Sequence, residues 1–153
     1  VNNQSNRTVD FGFYRAELSN QIFADVNSNG TYDAGDIGIA GATVQLYASN
    51  GTTEINVGPD GILGTADDAA GGVTTGVGGT YLFSGLPQGD YIVKVTPPAG
   101  YSSTVDTANI GDTTNPNNNI NNNDNGVGIG IGQASGNVVT LTPGSFGAAV
   151  NII

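Results

Sequence analysis

The sequence predicts an all-β domain, an antiparallel β-sandwich of at least about seven strands with almost no α-helix and long loops between the strands. Two observations lead there. Apolar residues recur with a period of two at Val44 and Leu46, at Tyr81 and Phe83, and at Tyr91, Val93 and Val95. The alternating runs are separated by Gly, Pro and Asn clusters, and glycine alone accounts for 25 of 153 residues.

The elements follow in chain order. Residues 1–7 are polar, and residues 8–14 (Thr-Val-Asp-Phe-Gly-Phe-Tyr) have strand composition, with Val9, Phe11 and Phe13 on one face. Residues 15–20 read as a link to a strand over 18–24, in which Ile22 points inward. Residues 42–48 alternate Val44 and Leu46 against Thr43, Gln45 and Tyr47, and 52–57 read as a return strand after the Asn50-Gly51 turn. Residues 76–79 form a turn, and Tyr81 and Phe83 face the core from 80–84. Residues 85–90 reverse the chain into 91–96, where Lys94 faces water and after which Pro97 and Pro98 end the strand. Strands are also expected over 137–142 and 147–153.

Composition narrows the function. The formal charge is −10, from 13 acidic against 3 basic residues. Arg7, Arg15 and Lys94 make no patch able to neutralise phosphates, so nucleic acid and anionic membranes are not expected partners. The chain has no Cys, His, Met or Trp, which removes zinc, haem, iron–sulfur and thiol chemistry. A secreted domain without disulfides needs another staple, and metal is the usual one. No apolar run approaches the roughly 20 residues of a membrane span. Without a signal peptide or initiator Met, the sequence reads as a processed or excised piece.

The acidity is organised. Residues 25–36, Asp-Val-Asn-Ser-Asn-Gly-Thr-Tyr-Asp-Ala-Gly-Asp, carry oxygen ligands at loop positions 1, 3, 5, 9 and 12 around a glycine at position 6. Ca²⁺ takes about 6 to 8 oxygens, and this spacing supplies them from Asp25, Asn27, Asn29, the Thr31 carbonyl, Asp33 and Asp36, with Gly30 permitting the sharp turn. An EF-hand or dockerin loop continues into an amphipathic helix, whereas here glycines and β-branched alternation follow. The loop therefore joins strands, and calcium acts as a structural clip instead of opening a helix pair. Residues 58–68 place Asp60, Asp67 and Asp68 among glycines and read as a second calcium site, with a mobile acidic loop as the alternative. Residues 106–125 are nearly all Asn, Asp, Thr and Gly. They read either as low-complexity chain or as a third cation-ordered loop using Asp112, Asn117, Asn119, Asn121, Asn123 and Asp124. Three Ca²⁺ would offset six of the ten net negative charges.

With the first loop and the stretch Gly-Thr-Tyr-Leu-Phe-Ser-Gly-Leu-Pro-Gln-Gly-Asp-Tyr (79–91), the chain over about residues 17–146 resembles the calcium-binding B domains of bacterial serine-aspartate repeat surface proteins. The resemblance implies an immunoglobulin-like β-sandwich, extracellular, used in tandem as a calcium-stiffened stalk and not as an enzyme. It departs from the family pattern at position 12, where Asp36 is shorter than the usual Glu, and in the third loop, where Asn replaces Asp. The only lysine, Lys94, lies mid-strand, so no isopeptide crosslink is expected.

The resemblance also implies that the 8–14 motif is a final strand standing at the wrong end of the domain. Residues 1–16 are then an N-terminal strand extension, and 17–153 the sandwich proper. An unpaired strand with three apolar residues on one face is an adhesive edge. Its expected partner is the sheet of a neighbouring copy, joined head-to-tail into a filament by strand donation. The alternative is that 147–153 already fills the last-strand place. The leading expectation is a calcium-stabilised extracellular stalk or filament subunit with no small-molecule substrate. An adhesin module is second, and an enzyme last, because the obvious carboxylates serve metal geometry.

Overall fold

The computed structural model describes residues 12–103, 126–130, 132–142 and 148–149, and every element assigned in them is a strand. In chain order these are β1 (Ala16–Gln21), β2 (Phe23–Ala24), β3 (Ile37–Gly38), β4 (Thr43–Ala48), β5 (Val73–Thr74) and β6 (Thr80–Leu86). They continue with β7 (Gly89–Thr96), β8 (Gly126–Gly130), β9 (Gln133–Gly136), β10 (Val139–Leu141) and β11 (Ala148–Ala149). One sheet has the order β11-β1-β6. A six-stranded sheet runs β5-β4-β7-β9-β8, with β10 alongside the start of β7, and β2 and β3 pair separately. The pairings are antiparallel except β1 with β11, which is parallel.

The core lies between the two larger sheets. In β4 and β7 the registered pairs Val44↔Val95 and Leu46↔Val93 put the apolar member of each alternation on one face, and all four are buried. Across from them Leu18 pairs with Phe83, both fully buried, and Tyr81 packs on Phe83 with ring centroids 5.6 Å apart. Val139 and Leu141 of β10 close the same cluster. Period-2 burial of this kind is what an antiparallel sandwich with one wet face requires.

Several expectations need correction. The strand expected over 18–24 is present as β1 and β2, but it starts earlier than expected, inside the stretch 15–20 read as its link: Ala16 and Leu18 are buried on either side of exposed Glu17, and β1 pairs with β6. Of the strand expected over 8–14, residues 8–11 lie outside the described residues and 12–14 form no strand, with Phe13 92% exposed. The return strand over 52–57 is reduced to a Tyr47↔Glu54 bridge flanked by Ala48 N–H to Thr53 O and Ile55 N–H to Leu46 O. Lys94 is half-buried: its ammonium donates to Gly51 O at 2.6 Å and sits 4.3 Å from the Tyr47 ring centre. β8 and β9 had no counterpart in the sequence reading.

Buried tyrosines give the fold an alkaline limit. Burial pushes the Tyr81 phenol well above its ordinary pKa, and burial with the neighbouring Tyr14 pushes Tyr91 up as well. The unfolded chain then loses these protons first, so their contribution is complete below about pH 10 and is lost as pH rises beyond it, at up to about 1.4 kcal/mol per pH unit per group. Urea midpoints, for these groups, stay level from pH 8 to about 10 and fall above it; midpoints flat to pH 11.5 would contradict the burial of Tyr81.

Candidate metal loops

The first loop spans the gap between β2 and β3, and its ends are tied by its own carboxylates. Asp36, 9% exposed, accepts from Val26 N–H at 2.9 Å and from Asp33 N–H at 2.9 Å, linking the last residue of the loop to its second. Asp25 reaches forward to accept from Asn29 N–H at 3.1 Å and Gly30 N–H at 2.9 Å. Asn27 and Asn29 accept from Asn29 N–H and Thr31 N–H through their side-chain oxygens, while their amide nitrogens donate to the two oxygens of Asp33 at 3.3 and 2.8 Å. The turn runs through the left-handed region at Ser28 (φ 57°) and Gly30 (φ 71°). Tyr32 fastens the loop to the core by an edge-on contact with Phe23, centroids 5.2 Å apart.

Asp25, Asn27, Asn29, Asp33 and Asp36 are therefore joined in one hydrogen-bonded set, to which Thr31 contributes its N–H. Every donor in that set is a main-chain N–H or an amide, so the three carboxylates meet no full positive charge among the described residues. Among the described residues the cations are spent elsewhere: Arg15 donates to Leu63 O and Gly85 O, and Lys94 to Gly51 O. The side-chain donors that Asp33 meets are the Asn27 and Asn29 NH₂ groups. Among the described residues no three carboxylates are gathered into a metal centre on their own. The donor set here is instead mixed carboxylate and amide oxygen, the hard-oxygen chemistry that suits Ca²⁺.

The second loop is built around a residue the sequence reading passed over. Thr65 Oγ1 lies 3.3 Å from an Asp60 oxygen, 2.7 Å from Asp67, 3.4 Å from Asp68 and 3.1 Å from the Ile62 carbonyl. A hydroxyl has one proton to give, so four acceptors around it outnumber the donors. Asp60 also accepts from Ile62 N–H, and Asp68 from Gly64 N–H. The loop is held to β6 by Leu63 N–H to Ser84 O and Ser84 N–H to Gly61 O. The only sequence signal for Thr65 is its place between Gly64 and the Asp67–Asp68 pair. Asp112, Asn117, Asn119, Asn121, Asn123 and Asp124 lie outside the described residues.

The fold and these loops define a class: an all-β module of antiparallel sheets with ordered acidic loops. The chain belongs to the SdrD B-like domain family, whose profile matches residues 16–141. It is 36% identical over 107 residues to serine-aspartate repeat-containing protein I of Staphylococcus saprophyticus, covering 68% of this chain and 5% of that protein. It is 34% identical over 110 residues to protein D of Staphylococcus aureus strain Newman, covering 71% and 7%. With protein F of Staphylococcus epidermidis it shares 34% identity over 107 residues, covering 68% and 5%. The chain thus spans a small fraction of the relatives it matches. Among solved structures, the minor pilin GBS52 of Streptococcus agalactiae aligns with TM-score 0.48 and 21% identity, covering 90% of this chain and 43% of that one. Members of the family are non-catalytic structural domains of extracellular surface proteins, and this chain is one of them. No helix among the described residues is long and apolar enough to cross a membrane.

Proposed function

We propose that this chain is a calcium-stabilised structural module of a bacterial surface stalk or filament. Its first ion is held by Asp25, Asn27, Asn29, the Thr31 carbonyl, Asp33 and Asp36, and a second by Asp60, Asp67 and Asp68. Residues 112–124 are the place for a third. Neighbouring copies join head-to-tail, with residues 1–16 as an N-terminal extension rooted on its own sandwich by Tyr14, Arg15 and Ala16 and reaching the next copy with the residues before them, and 17–153 as the sandwich. The observation that carries this reading is a loop in which Asp25, Asp33 and Asp36 are linked into one hydrogen-bonded chain through main-chain N–H and Asn amide groups, with no cationic side chain among the described residues donating to them. Unpaired carboxylates repel one another and favour an open loop, so a divalent cation supplies the missing charge. Turning the Asn27 and Asn29 amides presents oxygens where their nitrogens now stand.

Calorimetric titration with Ca²⁺ tests the assignment. The wild-type chain binds at least one ion, and Asp36→Ala weakens the tightest site by at least about tenfold, equivalent to about 1.4 kcal/mol. An isotherm unchanged by the substitution would remove the first loop from the reading.

A further inference from the structure

We infer that consecutive copies touch through a specific end-to-end contact in which Val77 of one copy enters the pocket formed by Tyr14, Arg15, Leu63, Gly64, Gly85 and Pro87 of the next. The inference rests on the head-to-tail reading above and names its contact surface. The two features lie at opposite poles of one hairpin. β1 starts beside the end of β6, since Ala16 pairs with Leu86, and finishes beside its start, since Gln21 pairs with Thr80. Val77 stands on the turn just before Thr80, held at the Gln21 pole by Gln21 Nε2 donating to Gly78 O at 2.7 Å. The pocket stands at the other pole, where Tyr14 Oη donates to Gln88 Oε1 and Arg15 Nη1 bridges the carbonyls of Leu63 and Gly85. The seven residues of β6 put about 20 Å between them.

Strand direction sets the axis. Because β11 runs parallel to β1, with Leu18 opposite Ala148 and Ser19 opposite Ala149, the chain comes into β1 from the pocket pole and β11 points to the Val77 pole. Copies strung in chain order therefore bring the Val77 pole of one against the pocket pole of the next.

The chemistry of the two poles matches. Val77 is 98% exposed on a turn that is otherwise glycine (Gly76, Gly78, Gly79), an apolar tip open to solvent. Ile37 and Val26, 61% and 70% exposed, lie at the same pole, Ile37 pairing with Ala24 just beyond β1. A single exposed valine is ordinary. What singles this one out is a receptor on the facing pole: a cavity of about 280 Å³ with the apolar surfaces of Leu63, Pro87 and Tyr14. That volume takes a valine side chain with room for its turn. Arg15 commits one guanidinium nitrogen to the two carbonyls, leaving its other N–H groups toward an arriving pole that carries Asp25, Asp33 and Asp36. The acids on the pocket's own side, Asp60, Asp67 and Asp68, are turned onto Thr65 and the main chain of their loop. Such a contact is heterologous and propagates instead of closing.

The chain has no cysteine, so a crosslink reads the contact directly. Chains of residues 1–153 carrying Val77→Cys are mixed with chains carrying Pro87→Cys under mild oxidation, in calcium. A disulfide needs Cα atoms within about 7 Å, which the two positions cannot reach inside one copy. The expected result is mixed dimer far in excess of both like dimers, and a ladder of multimers from the doubly substituted chain. Val77→Lys, which sets a cation against Arg15, weakens assembly of the otherwise unchanged chain by at least about tenfold with its melting temperature unmoved, because an exposed side chain contributes little to the fold. Mixed and like dimers in the random proportion of two to one to one would overturn the contact. Sedimentation of the unsubstituted chain separates the two levels. If it assembles and loses assembly when residues 1–14 are deleted, while the cysteines pair at random, the contact is wrong and the head-to-tail reading stands. If the chain does not assemble, both fall.

Discussion

Phe83→Ala lowers the unfolding free energy by about 3 to 5 kcal/mol, the range for emptying a buried aromatic site. Phe83 is fully buried in β6, registered against Leu18 of β1 and packed on the Tyr81 ring. The hole cannot collapse by moving one element, because β1 and β6 are bound to each other along most of their length and the opposing face is fixed by the β4–β7 ladder. Against a total stability of about 5 to 15 kcal/mol for an ordinary domain, the loss is large. Urea denaturation in calcium measures it. Phe83→Leu, which keeps most of the volume, falls well short of that loss, and equal losses for the two variants would contradict a core of this packing.

Gly79→Ala destabilises by at least about 3 kcal/mol, from two costs at one position. Gly79 has φ 76°, a left-handed conformation that a side chain resists, and a Cβ there would fall 2.0 Å from Ile22 O and 2.8 Å from Ile39 N. Both contacts are main chain, so no side chain can swing aside. Ile22 is the pivot of the region: its N–H donates to Gly79 O and its carbonyl accepts from Ile39 N–H, which joins the end of β1, the turn before β6 and the segment after β3. The same three pieces frame the first acidic loop. Gly79→Ala consequently weakens calcium binding as well as stability, whereas Gly76→Ala, with open space around its Cβ and no left-handed φ, leaves both nearly unchanged. Equal melting temperatures for the two variants would contradict this packing.

The sandwich was legible where large apolar residues alternate. Val44 and Leu46, Tyr81 and Phe83, and Tyr91, Val93 and Val95 are all buried as the period-2 pattern requires. The strand expected over 18–24 is present as β1 from Leu18 and β2, with Ile22 buried; its start at Ala16 was harder to see, because Ala-Glu offers one small apolar side chain and its strand character comes from pairing with β6, a long-range effect that composition does not carry. β8 and β9 escaped for a related reason. Gly126–Gly130 and Gln133–Gly136 are mostly small or polar residues, and β9 is recruited by main-chain pairing with Lys94 and Val95 of β7. In 52–57 the reverse happened: Thr, Glu, Ile and Val have strand composition, but pairing with β4 stops at Ile55.

The loops divide in the same way. The side-chain partners within 25–36 follow from their spacing, because alternate oxygens about a glycine are a local pattern. Arg15, which ties the second loop to the turn after β6, depends on residues brought together across 48 and 70 positions of sequence, and no local signal marks it. Thr65 lies within two to five residues of its partners, but a threonine hydroxyl between a glycine and an acidic pair has no distinctive spacing of its own.

Calcium as the staple of a cysteine-free sandwich is the central claim, and paired melting curves in excess Ca²⁺ and in excess chelator test it most directly. With Ca²⁺ about a hundredfold above its dissociation constant, mass action contributes roughly 2.7 kcal/mol per site. Chelation then lowers the melting temperature by several degrees for each site lost, at the roughly 2 to 8 °C per kcal/mol of a domain this size, and Asp36→Ala removes part of that difference. Coincident curves with and without chelator, together with no calcium in the purified protein by elemental analysis, would contradict it.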